Sequence, residues 1–359
     1  VARLTQALLV LAVAAIPAHA SFIIDPIFDT SITGNANAAA IENTIDTAIS
    51  FFESVYTNNI TVIIEFQSMT SGLGQSNDIT YNEPYSLFLT DLKNTNANPA
   101  AIAGLTGNFG NGPNNPATNT GNIEIKSADG RAIGLNTPTA CNLTGTSGNL
   151  SCSTTDLSHH SGSVDGIVGL NTSITSPPNS LSGNFSLLAV TEHEIDEVLG
   201  LGSALADCPG PGCNGVTDNA GNPLPEDLFR YTAPGVLASL NVTCGNVPPA
   251  YFSYSGLVNI MNFNTACNGE DWADWLGGAL AQVQDAVGTP GVVPIYQNEI
   301  LALSAIGYTT SVPEPSTSTL LLPALGLLAW AGRRRFQLSA KITSISVSTS
   351  TATPFSEVG

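Results

Sequence analysis

Positive charge is nearly missing from this sequence. Nine Lys and Arg stand against 28 Asp and Glu in 359 residues. Between residues 21 and 311 only Lys93, Lys126, Arg131 and Arg230 are basic, against 26 acids. A body this acidic cannot neutralise a phosphate backbone, which excludes nucleic acid as a partner. It cannot be held electrostatically on anionic lipid either. Histidine is equally scarce. Apart from His19 near the start, only His159, His160 and His193 are left for imidazole chemistry. No phosphate loop, dinucleotide fingerprint or G-x-S-x-G elbow occurs, and no internal repeat is evident. Charged residues make up only 10% against 43% apolar, which argues against bulk disorder. The length suits one large or two modest domains.

Both ends read as addresses. Arg3, the apolar stretch Ala7 to Ile16 and Ala18-His19-Ala20 form the three parts of a secretory signal over residues 1–20. The mature chain then starts near Ser21. At the other end, Val312-Pro313-Glu314-Pro315-Ser316 precedes an apolar run from Thr319 to Gly332 and then Arg333-Arg334-Arg335. The run is short for a span of ~20 residues and Pro323 interrupts it. The three arginines would stay cytoplasmic and leave the body outside. This order over residues 311–335 closely resembles the PEP-CTERM sorting signal. The resemblance implies an exosortase as processing partner, a transient anchor in the inner membrane through the short transmembrane segment, and final location at the cell surface, outer envelope or outside the cell. Residues 336–359 form a Ser/Thr-rich, low-complexity tail beyond the point where such signals usually end; a frameshift at the gene's end would account for it.

Six cysteines fall as three local pairs: Cys141 with Cys152, Cys208 with Cys213, and Cys244 with Cys267. An even count in an exported chain points to disulfides. Fifteen connectivities are open, and nearest-neighbour pairing is the simplest. Their place in Gly/Asn/Pro-rich connections gives them the role of loop staples.

Periodicity predicts a helix over Ala38–Tyr56, a strand over Ile60–Gln67, a loop over 68–82, and short helices at Glu83–Leu92 and Pro99–Leu105. Short strands are expected at Ile123–Lys126, Ala132–Leu135 and Asp165–Leu170. A long helix follows over Ser186–Leu201, closed by Gly200 and Gly202. Beyond it lie short ordered pieces at Asp227–Tyr231 and Val258–Phe263, then helices at Asp274–Val287 and Asn298–Ile306. The fold class is α/β (α+β). It is a mixed sheet backed by two helices, with an irregular, cysteine-containing second part, all within a body of residues 21–310.

One constellation carries chemistry. The long helix contains His193-Glu194-Ile195-Asp196-Glu197-Val198-Leu199-Gly200. His193 and Glu197 are four apart and share one helix face, where two metal-competent side chains can grip one cation. Glu194 flanks them, placed to take a proton from metal-bound water. The acids of this segment also suit a solvated first half of a helix. Leu187, Leu188, Val190, Ile195 and Val198 interleave them, however, so burial is expected, and a buried carboxylate needs a partner. The body has few cations to offer, so a metal ion is the simplest counter-charge.

This segment resembles the zincin helix in its metzincin form, H-E-x-x-H-x-x-G-x-x-H/D, with His193 as first ligand, Glu194 as general base and Gly200 as the closing glycine. Glu197 stands where the second His belongs and Ser203 where the third ligand belongs. Asn259-Ile260-Met261-Asn262 is a candidate Met turn. The body is also similar to a family of exported PEP-CTERM proteins described as metallopeptidases, in which the His-Glu-Ile-Asp-Glu helix recurs. Asp227–Tyr231, Asp271-Trp272-Ala273-Asp274-Trp275 and Leu303–Tyr308 add to that likeness. The resemblance implies a metzincin-like sheet with a backing helix and an active-site helix, one Zn²⁺, and hydrolysis of a peptide or protein substrate. Ser203 is a poor zinc ligand, so the third must come from elsewhere. Asp207, His159 and His160 are the candidates, and spacing does not choose among them. Asp218, Asn219 and Asn222 are candidates for Ca²⁺, although turn chemistry explains them equally well. The alternative function is a catalytically inactive surface or matrix protein on the same scaffold.

Overall fold

The computed structural model describes residues 22–139, 141–142, 163–205, 222–242, 245–267 and 269–311. The secretory segment, the sorting segment, the tail, His159, His160, Asp207, Asp218, Asn219, Cys152, Cys208, Cys213 and Cys244 lie outside the described residues. Among the described residues no helix is long and apolar enough to cross a membrane. A boundary between compact units falls between Thr310 and Ser311.

The body is a mixed α/β structure built on a four-stranded sheet. Strand β1 (Ile23–Phe28) pairs in parallel with β2 (Thr61–Ser68), Ile23 opposite Thr61. The edge strand β3 (Gly74–Asp78) and its neighbour in sequence β4 (Thr80–Pro84) follow; β4 pairs with β5 (Asn122–Lys126) in a separate antiparallel ribbon. Strand β6 (Gly166–Leu170) lies between β2, to which it is parallel, and β3, to which it is antiparallel. The sheet order is therefore β1-β2-β6-β3. β2 alternates, with Val62, Ile64 and Phe66 fully buried, as a half-buried strand should. Every residue of β6 is buried, as expected for the strand sandwiched at the sheet centre.

Two helices cover the same face. Helix α1 (Ala38–Val55) turns Ile41, Ile45, Ala48, Ile49 and Phe52 inward. Helices α2 (Tyr85–Thr95), α3 (Pro99–Phe109) and α4 (Ser127–Ile133) lead to α5 (Leu187–Leu199), which packs on α1, β3 and β6. Arg131 of α4 clamps Asp165 with two parallel bonds of 2.7 and 2.8 Å. That bidentate pair fixes the entry to β6. A second antiparallel sheet joins β7 (Arg230–Ala233), β8 (Val236–Leu237), β9 (Tyr251–Phe252) and β10 (Met261–Asn262) in the order β8-β7-β9-β10. Helix α6 (Asn298–Ile306) closes the core with Ala302, Leu303, Ala305 and Ile306.

Four expectations need correction. The run 68–82 is not a loop, because β3 and the start of β4 lie in it. Gly-Gln-Ser-Asn-Asp has no apolar alternation, and only its pairing with buried β6 makes it a strand. Ala132–Leu135 is not a strand: α4 runs to Ile133 and Gly134, at φ +98°, ends it. Asp274–Val287 is not a helix; Gly277 and Gly278 interrupt it, and single bridges such as Trp275 to Asp285 hold it instead. Met261 and Asn262 form strand β10 against β9 rather than a tight turn.

The helix reaches the sheet through a missing side chain. A Cβ at Gly166 would sit 2.5 Å from Val198 Cγ2 and 2.9 Å from its Cγ1. Gly166→Ala is expected to destabilise the fold by about 1–3 kcal/mol through overpacking. Adding Val198→Ala should recover part of the loss, and urea midpoints of the single and double variants check both.

Candidate metal centre

Helix α5 carries the site because its two ends are firmly set. Ser186 caps the start, its Oγ accepting from Ala189 N at 3.3 Å. Gly200, at φ +142°, ends it and lets its N–H reach the carbonyls of Asp196 and Glu197. Lys126 reaches across from β5 and donates to Glu197 O at 2.7 Å and Leu201 O at 2.9 Å. The same ammonium pairs with Asp78 at 2.7 Å. A cation at the carboxyl end of a helix meets both its orphan carbonyls and its dipole.

The inner face of α5 forms one wall of a cleft of about 1080 Å³, bounded by edge strand β3 and by residues 269–294. His193 and Glu197 come together there as the sequence requires, with Nε2 to Oε1 at 3.5 Å. Asp274 completes the group, with its Oδ1 3.6 Å from His193 Nε2. One ligand atom from each of the three lies within 4.8 Å of the others. Four ligands ~2.1 Å from a common centre lie about 3.4 Å apart along a tetrahedral edge. The two spacings to His193 Nε2 are close to that edge, so the three residues form a candidate cation site.

The neighbours orient these ligands. His193 Nδ1 lies 3.1 Å from the carbonyl of Val283. A carbonyl only accepts, so Nδ1 holds a proton there and Nε2 is the ring nitrogen turned toward Glu197 and Asp274. Ser76 of β3 donates to Glu197 Oε2 at 2.5 Å, which leaves Oε1 for the cation. Trp272 and Trp275, both fully buried, bracket Asp274. Glu194 is buried against β3 at Gly74, where any side chain would collide with its carboxylate. Glu194 borders the cleft, and its Oε2 is sealed from solvent with no hydrogen-bond partner among the described residues.

Electrostatics show what the side chains do on their own. Burial, reinforced by the charge of Glu197, pushes Glu194 well above the usual carboxylate range. Burial raises Asp274 as well, against the pull of His193. Burial would lower His193, but Asp274, Glu197 and Glu194 outweigh it and lift the imidazole well above its ordinary value. Glu197 is pushed up by burial, yet His193, Lys126 and Ser76 bring it down to about 2. Three acids and one imidazole therefore share protons where a divalent cation can replace them, so cation uptake would release protons and strengthen as pH rises.

Ser203 is turned to another task, donating to Asp227. Asn222 is engaged with Thr120 and Asn82. Of the cysteines, Cys267 is described with its side chain, and it is not free. The sequence reading missed Asp274 as a candidate ligand, together with Ser76, Lys126 and Val283 as its neighbours. The one available signal was Asp274 between two tryptophans, since paired aromatics anchor the backbone around it.

Residues 311–335 match the PEP-CTERM protein-sorting motif. That motif marks an exported, surface-sorted protein and implies processing by an exosortase. No curated protein and no solved structure matches the chain. No family model, curated protein or solved structure supports the metzincin resemblance of the body, which rests on the sequence of α5 alone.

Proposed function

We propose that the body is an exported, metal-dependent peptidase. The observation that supports this reading is the convergence of His193, Glu197 and Asp274 beside the buried carboxyl of Glu194. The three residues would hold one Zn²⁺, with a fourth position left open to the cleft as catalytic sites require. A bound zinc lowers the pKa of its water and polarises a substrate carbonyl. Glu194 takes the proton from the attacking water and passes it to the leaving amine. Its environment suits the task, since burial strengthens its hold on the proton that it must accept and later return. Val283 holds the His193 ring in one orientation, and Ser76 holds Glu197. Edge strand β3 offers unpaired backbone groups along the cleft, to which an extended peptide can add as a further strand. In the same reading the chain leaves the cell under its amino-terminal signal, is anchored briefly by residues 311–335, and pairs its cysteines outside.

A second reading, a catalytically silent surface protein, draws on the two anionic ligands. They reduce the charge of the bound cation and hence its power to activate water.

Metal binding is the direct test. The purified chain should take up one Zn²⁺ in equilibrium dialysis, and Asp274→Ala should weaken uptake by at least about 100-fold. Absence of stoichiometric metal, or unchanged uptake in Asp274→Ala, would overturn the assignment.

A further inference from the structure

Two parts of the centre lie off α5, on irregular chain. Asp274 is one, and Val283, whose carbonyl meets His193 Nδ1, is the other. The described residues 274–287 form neither helix nor strand. Their two stretches meet through Trp275 N to Gln284 O at 2.8 Å and Ala286 N to Trp275 O at 2.9 Å. What fixes both is a side chain of α6. Glu299, in the first turn of that helix, is fully buried. Its Oε1 accepts from Trp275 Nε1 at 3.1 Å and from Gln284 N at 3.1 Å. Its Oε2 accepts from Gln297 N at 2.9 Å, which ties the carboxyl to the start of its own helix. One oxygen thus spans the residue after Asp274 and the residue after Val283. Gln284 adds a second link, its Nε2 donating to Asp274 Oδ1 at 3.5 Å. That oxygen is the one facing His193 Nε2. A buried carboxyl is costly unless its oxygens are met. Here both are met, and Oε1 is spent on joining these two stretches.

We infer that Glu299 is the positioning residue of the candidate metal centre: through one carboxyl oxygen it sets Asp274 and the Val283 carbonyl in place against His193. The inference rests on the metal-centre reading above and gives Glu299 no contact with the ion. Its effect passes through Trp275 to the ligand Asp274, and through Gln284 to the carbonyl that orients the imidazole. Because α6 is packed into the core by Ala302, Leu303, Ala305 and Ile306, the oxygen is held by a rigid element. Loss of a group that orients ligands typically costs about 10–100-fold in metal affinity.

Reach can be varied at this position without emptying it. Glu299→Asp keeps a carboxyl but withdraws it by one methylene, whereas Glu299→Gln keeps the reach and an acceptor oxygen. In chelator competition, Glu299→Asp should weaken zinc binding at least about tenfold. Glu299→Gln should stay within about threefold of the unmodified protein. Leu105→Ala truncates a fully buried residue of α3 outside the cleft lining, and should lower stability while leaving zinc affinity unchanged. A second readout needs no metal. By NMR, the His193 Nδ1 proton should exchange with water at least about tenfold faster in Glu299→Asp than in the unmodified chain or Glu299→Gln. If Glu299→Asp does not fold, Trp275→Phe removes one donor to Oε1 and keeps a ring, with zinc binding about threefold weaker. Unchanged zinc affinity or unchanged His193 exchange in the folded variant, an equal loss in Glu299→Gln, or an equal loss in Leu105→Ala would overturn the inference. Failure of the unmodified protein to bind zinc would remove the metal reading, and the His193 exchange rates alone would then decide the positioning role.

Discussion

Glu194→Gln is expected to lower kcat/KM on any peptide the protein cleaves by about 10²–10⁴-fold while leaving zinc bound. General-base catalysis contributes factors of that size. Glutamine keeps the shape of the side chain in its slot beside Gly74 and removes only the ability to carry a proton. The ligands His193, Glu197 and Asp274 are untouched. Single-turnover assays alongside zinc analysis separate the two effects. A parallel loss of metal would assign Glu194 a structural role, and unchanged turnover would mean that another group moves the proton. If the unmodified protein shows no chelator-sensitive cleavage on a broad peptide library, the silent reading prevails.

The second large effect concerns stability against pH. Glu226 is 3% exposed, in the turn Pro225–Phe229. Its Oε2 accepts from Gly202 N at 2.7 Å, and its Oε1 has no partner among the described residues. Burial lifts its pKa to about 8, against the pull of the Gly202 N–H. In the unfolded chain it titrates near its ordinary value of ~4.3. The folded state therefore binds more protons between those values, and stability falls with pH across the window. The contribution is fully present below about pH 4 and is lost as pH rises to about 8. Glu192, raised to about 7, acts in the same direction. Glu197, held at about 2, gives stability that is lost only below about pH 4, outside the window. At ~1.4 kcal/mol per pK unit the Glu226 effect is on the order of 5 kcal/mol. Glu226→Gln retains an acceptor for Gly202 and cannot ionise. Its melting temperature should equal that of the unmodified protein near pH 4, exceed it increasingly up to about pH 8 and keep a constant lead above that. A constant offset through the rising part would refute the assignment.

The sequence was legible where one element decides its own fate. Ile41, Ile45, Ala48, Ile49 and Phe52 mark α1 by spacing alone, and the β-branched run of β2 marks a strand. His193 and Glu197 meet because a helix turn brings them together, whatever the tertiary structure. β3 was hidden, since a polar pentapeptide becomes a strand only beside β6. Asp274 was hidden for the same reason, because no local rule links it to α5. The apparent helix Asp274–Val287 shows the converse error: apolar residues at helical spacing there fill a core around Trp275 through isolated bridges.

The imidazole of His193 is steered by a carbonyl 90 residues further along the chain. A metal centre of the proposed kind could consequently not assemble in a partly synthesised or half-folded molecule, in which Asp274 and Val283 are not yet in place. Under the proposed function, the order in which the polypeptide is made keeps the protein harmless to the cell that produces it until the last third has settled into place.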